Sequence, residues 1–541
     1  MKRIYLLAFV LCIILAGTNV QAQKKVVDQI ISLGQTDNQT MNHLDVLCNR
    51  FGGRILGSDA YDNAADWCVA QFKKWGMEAE LDEAGTLPVG FNRGPWFGRL
   101  LAENGMDLHF VTPSYTSGTH GVQRGHVLIE PKSQAEFDKM KGALKGAWVL
   151  ISGINGGWPI DYSTDADTRR AKSILINDTI NLKNREIMGE NRRIRQAEQE
   201  YQAALKKDPT TVRTTPKVEE KPLIPLLEEP ALFYKQMRDA GILGIIQSAP
   251  VPLQCLYDRN VWKMTFETLP TVPDIKLEDK QYKIIEQMAK ERRYFQLEFD
   301  IRNYFKMGPV KYYNVVGKIK GTKYPDEYVI MGGHLDCFDV ASGGVDDGSG
   351  VTPAMEAARL IMAAGGKPQR SILVCLWAGE EFGLLGSKSW VEKNQKNWDK
   401  ISNYFNRDGG PLVANSLTVP EDLYDDFVKI CEPLDRINPD FPFTLTKRTG
   451  EPGPRPTRAG GSDHAYFAMN GIPTLSFGQA DPKGYNFDYG EIWHTERDMY
   501  NKSIAEYQNQ TSVVTAVVAY GVANLDKVLS RKGLYQQAPA K

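Results

Sequence analysis

Apolar positions along this chain change their period more than once, and the changes mark its parts. Between about 24 and 105, Ala64, Cys68, Phe72 and Trp75 recur at helical spacing, Gly76 supplies a stop, and Gly52-Gly-Arg-Ile-Leu-Gly-Ser58 precedes that helix as a loop. From about 306 to 530, short apolar runs alternate with helical stretches. Val315–Lys320 and Tyr328–Met331 read as neighbouring strands joined by a turn around Tyr324-Pro-Asp-Glu327. Gly350–Ala364 reads as a helix, and Ile372–Trp377 is a near-continuous apolar strand, the pattern of a strand covered by helices on both faces. Phe382–Glu392 is predicted helical, Ile472–Phe477 a strand, and 505–528 a closing helix. This alternation predicts an α/β fold with a mixed, largely parallel sheet flanked by helices. Functional groups then belong at the carboxyl ends of the strands.

The stretch 106–305 has a different texture and reads as a separate unit. Ala147-Trp-Val-Leu-Ile-Ser152, Gly244-Ile-Ile-Gln-Ser248 and Phe295–Phe299 are predicted strands; Phe233–Ala240 and Glu278–Glu291 are predicted helices. A charged excursion near 183–221 reads as a solvated helix followed by a Thr/Pro/Lys/Glu connector. The division is therefore an export signal at 1–22, flanking stretches at 23–105 and 306–530, a separate unit at 106–305, and a flexible tail at 531–541.

At 541 residues the chain exceeds one ordinary core, and 42% hydrophobic with 24% charged residues is a globular composition. Lys+Arg 65 against Asp+Glu 66 leaves no basic excess, which argues against nucleic acid as a partner. Lys2 and Arg3, the apolar run Ile4–Ala16 and the small-residue site Val20-Gln21-Ala22 read as a cleaved export signal. The expectation is a mature chain beginning near Gln23, periplasmic or extracellular, without stable membrane insertion once the signal is gone. Cys48 and Cys68 could bridge in such a compartment. No Cys-x-x-Cys is present, and six cysteines beyond the signal are too few for a disulfide scaffold.

The candidate chemistry lies at the ends of predicted strands. His334 in His-Leu-Asp336 is a possible zinc ligand with an acid two residues on. Asp346-Asp347-Gly348-Ser349-Gly350 opens a helix; it reads either as an N-terminal cap or as a bridging carboxylate beside permissive glycines. Glu380-Glu381 ends a buried strand, where adjacent like charges need a reason, and a metal beside a proton acceptor supplies one. Asp408 in Asn-Arg-Asp-Gly-Gly and His494 in Trp-His-Thr, with Asp498 near it, complete the set.

His334-Leu-Asp, Asp346-Asp-Gly-Ser-Gly, Ala378-Gly-Glu-Glu-Phe-Gly-Leu-Leu-Gly-Ser387, Ser462-Asp-His-x-x-Phe467 and His494-Thr-x-x-Asp498 together resemble the di-zinc exopeptidases, the family of bacterial leucyl aminopeptidases, glutamate carboxypeptidases and carboxypeptidase Q. The middle region resembles the protease-associated domain inserted in many members, which implies a β-rich insert at 106–305 within a discontinuous catalytic unit at 23–105 and 306–530. The resemblance implies two Zn2+ per chain: His334 and Asp408 on one, Glu381 and His494 on the other, Asp346 bridging. It implies Glu380 as general base, Asp336 orienting His334, and a cis peptide between Asp346 and Asp347. Asp463 and His464 would lie on the substrate side. The glycine pair after Asp408 is closer to the carboxypeptidase Q type than to several aminopeptidases.

The function so implied is hydrolysis of a peptide substrate at a chain end or in dipeptides, by a monomer or homodimer. A carboxypeptidase or dipeptidase needs a cation for the substrate carboxylate, and Arg455 and Arg458, in the Gly/Pro-rich run before Gly460-Gly461, are the candidates. The alternatives are a glutaminyl cyclase, a single-zinc aminoacyltransferase on the same fold, and an inactive binding homologue that has lost ligands.

Overall fold

The computed structural model describes residues 21–214 and 216–536, so the expected signal sequence lies almost wholly outside the described residues. A mixed sheet of five strands forms the first layer, in the order Glu78–Leu87, Val310–Ile319, Arg370–Trp377, Tyr324–His334, Ile401–Asn406. The last three run parallel, and the first two are antiparallel to their neighbours. Val310–Ile319 and Tyr324–His334 are therefore consecutive but not adjacent, because Arg370–Trp377 lies between them. This corrects their reading as neighbours.

The buried central strand explains why its sequence does not alternate. Ile372, Val374 and Leu376 enter the larger core with Val329 and Met331, and meet the helices Asp59–Lys74, Gly348–Ala363 and Ala505–Ala523. Leu373, Cys375 and Trp377 point the other way, against Trp390 of Leu385–Lys393 and Phe467 of His464–Met469. Both faces are apolar because both are covered. Of the region expected as a strand over 472–477, only Phe477 lies in one, the strand Phe477–Ala480. Pro473 lacks an N–H, and the Asn403 side chain instead bonds Leu475 N–H and C=O, at 2.7 and 3.0 Å.

A second sheet of eight strands is built from residues 90–306, with a parallel centre of Gln123–Ile129, Ala147–Ile154, Gly244–Ala249 and Asp274–Glu278. Successive residues again feed opposite cores: Trp148 and Leu150 one, Val149 and Ile151 the other. The sheet also includes Gly90–Leu101 and Gln296–Lys306, so it draws in residues assigned from sequence to the catalytic unit.

The helical part of the charged excursion, 183–207, is the C-terminal half of a helix that starts earlier, Thr164–Lys207, with the Ser163 side chain accepting from Ala166 N–H. Asn177, Asn184 and Asn191 stand seven residues apart on one of its faces. Each bonds both backbone groups of one residue in the returning segment: Leu227, Ile224 and Lys221, at 2.7–3.1 Å. Seven helical residues rise about 10.5 Å, and three residues of extended polyproline-type chain rise about 9 Å. That near-match lets one asparagine ladder hold the segment antiparallel to the helix.

Residues 531–536, expected as part of a loose tail, are fastened: Arg448 donates to Gly533 and Leu534 carbonyls, and Gln536 N–H to Gly453. Cys48 and Cys68 are buried free thiols. No helix among the described residues is long and apolar enough to cross a membrane.

Candidate metal centre

Three of the expected ligands follow strand ends of the first sheet. His334 closes Tyr324–His334, Glu381 lies four residues beyond Trp377, and Asp408 two beyond Asn406. Asp346 arrives on the loop before Gly348–Ala363, and His494 from the turn after Tyr489–Ile492. The chain thus brings together residues far apart in sequence. His334, Asp346 and Asp408 form one group that could hold a metal ion; Asp346, Glu381 and His494 form a second. Within each group the ligand atoms lie within 4.8 Å of one another, and Asp346 is shared. His334 Nε2 is 3.2 Å from one Asp346 oxygen, and His494 Nε2 is 3.7 Å from the other and 3.0 Å from Glu381.

The electrostatics fit a cation. Burial pushes Glu380 up to about 10, with Glu381, Asp463 and Asp408 adding to the effect. Glu381 and Asp347 are raised well above the carboxylate range, again by burial first and then by other acids. Burial opposes the charge of Asp346 too, but its hydrogen bond from His334 and the two imidazoles outweigh that and hold it low. Buried acids packed this tightly repel unless a positive ion sits among them. Two Asp463 oxygens, Asp347 Oδ1 and His494 Nδ1 are buried without hydrogen-bond partners.

The surrounding residues set the ligand geometry. His334 Nδ1 is 2.9 Å from the backbone carbonyl of Asp336, while the Asp336 carboxylate is 3.7 Å away. That carboxylate instead accepts from the N–H groups of Glu380 (3.1 Å) and Glu381 (3.3 Å). Asp336 therefore touches the ring through its main chain and fixes the two glutamates through its side chain. Asp347, joined to Asp346 by a cis peptide, accepts from His334 N–H at 3.1 Å. Glycine is required opposite it: a Cβ on Gly333 would come 2.0 Å from Asp347 Oδ2. Asp498 accepts from Val345 and Asp346 N–H groups at 2.7 and 3.2 Å, and burial pushes it up to about 8.

Other expected residues behave differently. Asp463 is fully buried and pushed up to about 7, chiefly by burial, among these acids; His464, lowered by burial, lies 3.5 Å from Asn406. Arg455 and Arg458 are exposed on their loop, and neither forms an ion pair among the described residues.

The cation missed from sequence is Arg407, buried beside Asp408, where burial lowers it to about 10. It donates to the carbonyls of Ser349, Gly410 and Leu412. Its position inside Asn-Arg-Asp was visible, but nothing in the motif marks it as buried. Sequence reasoning also missed the insert's contribution. Cys255 N–H donates to the His494 carbonyl at 2.8 Å, and Glu496 N–H to Leu253. Tyr257 stacks on Phe382 at 4.1 Å, next to Glu381, and Phe338 and Trp493 flank the His494 ring. His494 itself has φ +59, a left-handed conformation held by these neighbours. A buried ion pair, Arg93–Asp339 at 2.9 Å, ties strand Gly90–Leu101 of the second sheet to the loop that follows His334.

The structure is thus a mixed α/β fold carrying two acid–imidazole ligand groups around one shared carboxylate. Residues 314–518 match peptidase family M28, as the motifs implied. Similar curated proteins include carboxypeptidase Q of Xenopus laevis, 26% identical over 301 residues, 54% of this chain and 58% of the relative. A probable glutamate carboxypeptidase of Arabidopsis thaliana is 34% identical over 209 residues, covering 36% of this chain and 30% of that one. The chain spans about half the length of the curated carboxypeptidase Q relatives it matches. A solved peptidase M28 precursor from Shewanella amazonensis has the same fold, with TM-score 0.54 and 19% identity, covering 96% of this chain and 100% of that one.

Proposed function

We propose that this chain is an exported, zinc-dependent exopeptidase that holds two zinc ions and acts on peptides with a free amino terminus, as an aminopeptidase or a carboxypeptidase Q-like dipeptidase. The observation that carries this reading is the pair of ligand groups sharing Asp346, with Glu380 beside them. His334 and Asp408 would hold one ion, Glu381 and His494 the other. Such ions polarise a scissile carbonyl and acidify water when bound.

The chain's own residues supply the rest. Glu380 makes no side-chain hydrogen bond among those described, while its N–H is pinned by Asp336. Its carboxylate is thus free to take a proton from the attacking water and return it to the leaving amine. Tyr257, stacked on Phe382 beside Glu381, and Cys255, whose N–H donates to the His494 carbonyl, border the centre. The amino-terminal preference rests on charge. Arg407 spends its donors on backbone carbonyls, which leaves the exposed Arg455 and Arg458 as the candidates for a substrate carboxylate in the dipeptidase case. A surplus of acids suits a substrate ammonium.

The test is a panel of aminoacyl chromophores, free dipeptides and N-blocked peptides, assayed with and without a chelator. Hydrolysis of the first two, abolished by chelation and restored by zinc, is expected. Cleavage of N-blocked peptides alone would make the protein a carboxypeptidase, and ammonia release from a Gln-initiated peptide without hydrolysis would make it a cyclase. Export is tested by locating the protein in fractionated cells, where a mature terminus near Gln23 is expected.

A further inference from the structure

Arg54, in the loop Gly52–Ser58, is fully buried and has no carboxylate partner within ion-pair distance among the described residues. Its guanidinium is occupied by carbonyls: Nε donates to Leu335 (2.8 Å), Nη1 to Ser342 (2.8 Å), Gly52 (3.2 Å) and Leu47 (3.3 Å), and Nη2 to Gly343 (3.3 Å). Its main chain bonds Cys337, N–H to Sγ and carbonyl to N–H, both at 3.2 Å. Leu335 directly follows the ligand His334, and Ser342-Gly343 lead into the shared ligand Asp346.

The loop into Asp346 is gripped from two sides. Its N–H groups go to Asp498: Ser342 and Gly344 to the backbone carbonyl, Val345 and Asp346 to the carboxylate. Its carbonyls at Ser342 and Gly343 go to Arg54. The fit is close, since a Cβ on Gly343 would stand 2.8 Å from Arg54 Nη2 and 2.5 Å from Cys337 Sγ. One planar, five-donor group therefore spans both loops, which an ammonium on a single point cannot do.

We propose that Arg54 is a positioning residue that sets the distance between His334 and Asp346 and thereby the affinity of the metal centre. The proposal rests on the two-ion reading of the site. Partners of this kind, one step removed from ligands, typically govern metal affinity by about 10–100-fold.

The experiment titrates the metal-depleted protein with Co2+ alone, following the visible d–d bands against a competing chelator, and follows folding by near-UV circular dichroism. Wild type is expected to bind two Co2+ per chain. Arg54→Lys is expected to fold and to bind cobalt about 10–100-fold more weakly, with an altered band shape. Arg54→Ala is expected to regain affinity when millimolar methylguanidinium is added. A folded Arg54→Lys with wild-type cobalt affinity and spectrum, lower only in melting temperature, overturns the proposal. Failure of both variants to fold also overturns it, by assigning Arg54 to the core alone. Wild type that binds no cobalt overturns the metal reading itself, which separates that failure from this one.

Discussion

Replacing Glu380 by glutamine removes one proton-accepting oxygen and little else. The side chain makes no hydrogen bond among the described residues, and the loop that carries it is held by main-chain bonds to Asp336, which glutamine keeps. Neither ligand group includes Glu380, so both should form in the variant. The expected loss is therefore confined to proton transfer. General-base catalysis contributes roughly 10²–10⁴-fold, or about 3–5 kcal/mol of transition-state stabilisation at about 1.36 kcal/mol per tenfold. Steady-state kinetics on an aminoacyl chromophore should show kcat reduced by that factor with KM changed less than about threefold, the pattern of an interaction made mainly in the transition state. Zinc content, measured in parallel, should stay at the wild-type value. An unchanged kcat would refute the assignment of the base, and a loss of metal equal to the loss of rate would make Glu380 a ligand instead.

Asn184→Leu should release the extended segment from the long helix, because it removes both bonds to Ile224. At about 1 kcal/mol per bond, limited proteolysis within 208–228 should accelerate roughly tenfold or more, with peptidase activity unchanged. Asp258 in the insert is raised to about 6, mainly by burial, so the folded protein holds its proton more tightly than the unfolded chain does. That contribution is fully present below the unfolded value near 4 and is lost as pH rises to about 6. Asp258→Asn, which keeps an oxygen for the Asn260 N–H cap, should raise the melting temperature at pH 8 by the equivalent of about 1–3 kcal/mol and leave it unchanged at pH 4; a pH-independent effect would refute this.

Much of the catalytic sheet was legible because its residues report their own surroundings. The run Ile372–Trp377 is apolar at every position since both faces are covered, and the helix read as 350–364 is Gly348–Ala363. The centre was legible for a related reason: acids and histidines at strand ends have no structural use that would place so many together. The order of strands was not legible, because insertion of Arg370–Trp377 between two consecutive strands depends on pairing distant in sequence. Glu78–Leu87 went unseen within a stretch read as helical, since Glu, Asp and Gly leave its alternation weak.

The long helix shows the opposite failure. Its charged residues were plain, but the asparagines that organise it read as ordinary polar positions until the returning segment is in view. Arg54 and Arg407 were hidden likewise, since their acceptors are backbone carbonyls, which leave no mark in a sequence.

The central claim is a two-ion centre built around one shared carboxylate, and native mass spectrometry of the purified chain tests it most directly. The account predicts two zinc ions per wild-type chain and the loss of both from a folded Asp346→Ala variant. A single ion in the wild-type chain, or an Asp346→Ala variant that still holds two, would contradict it.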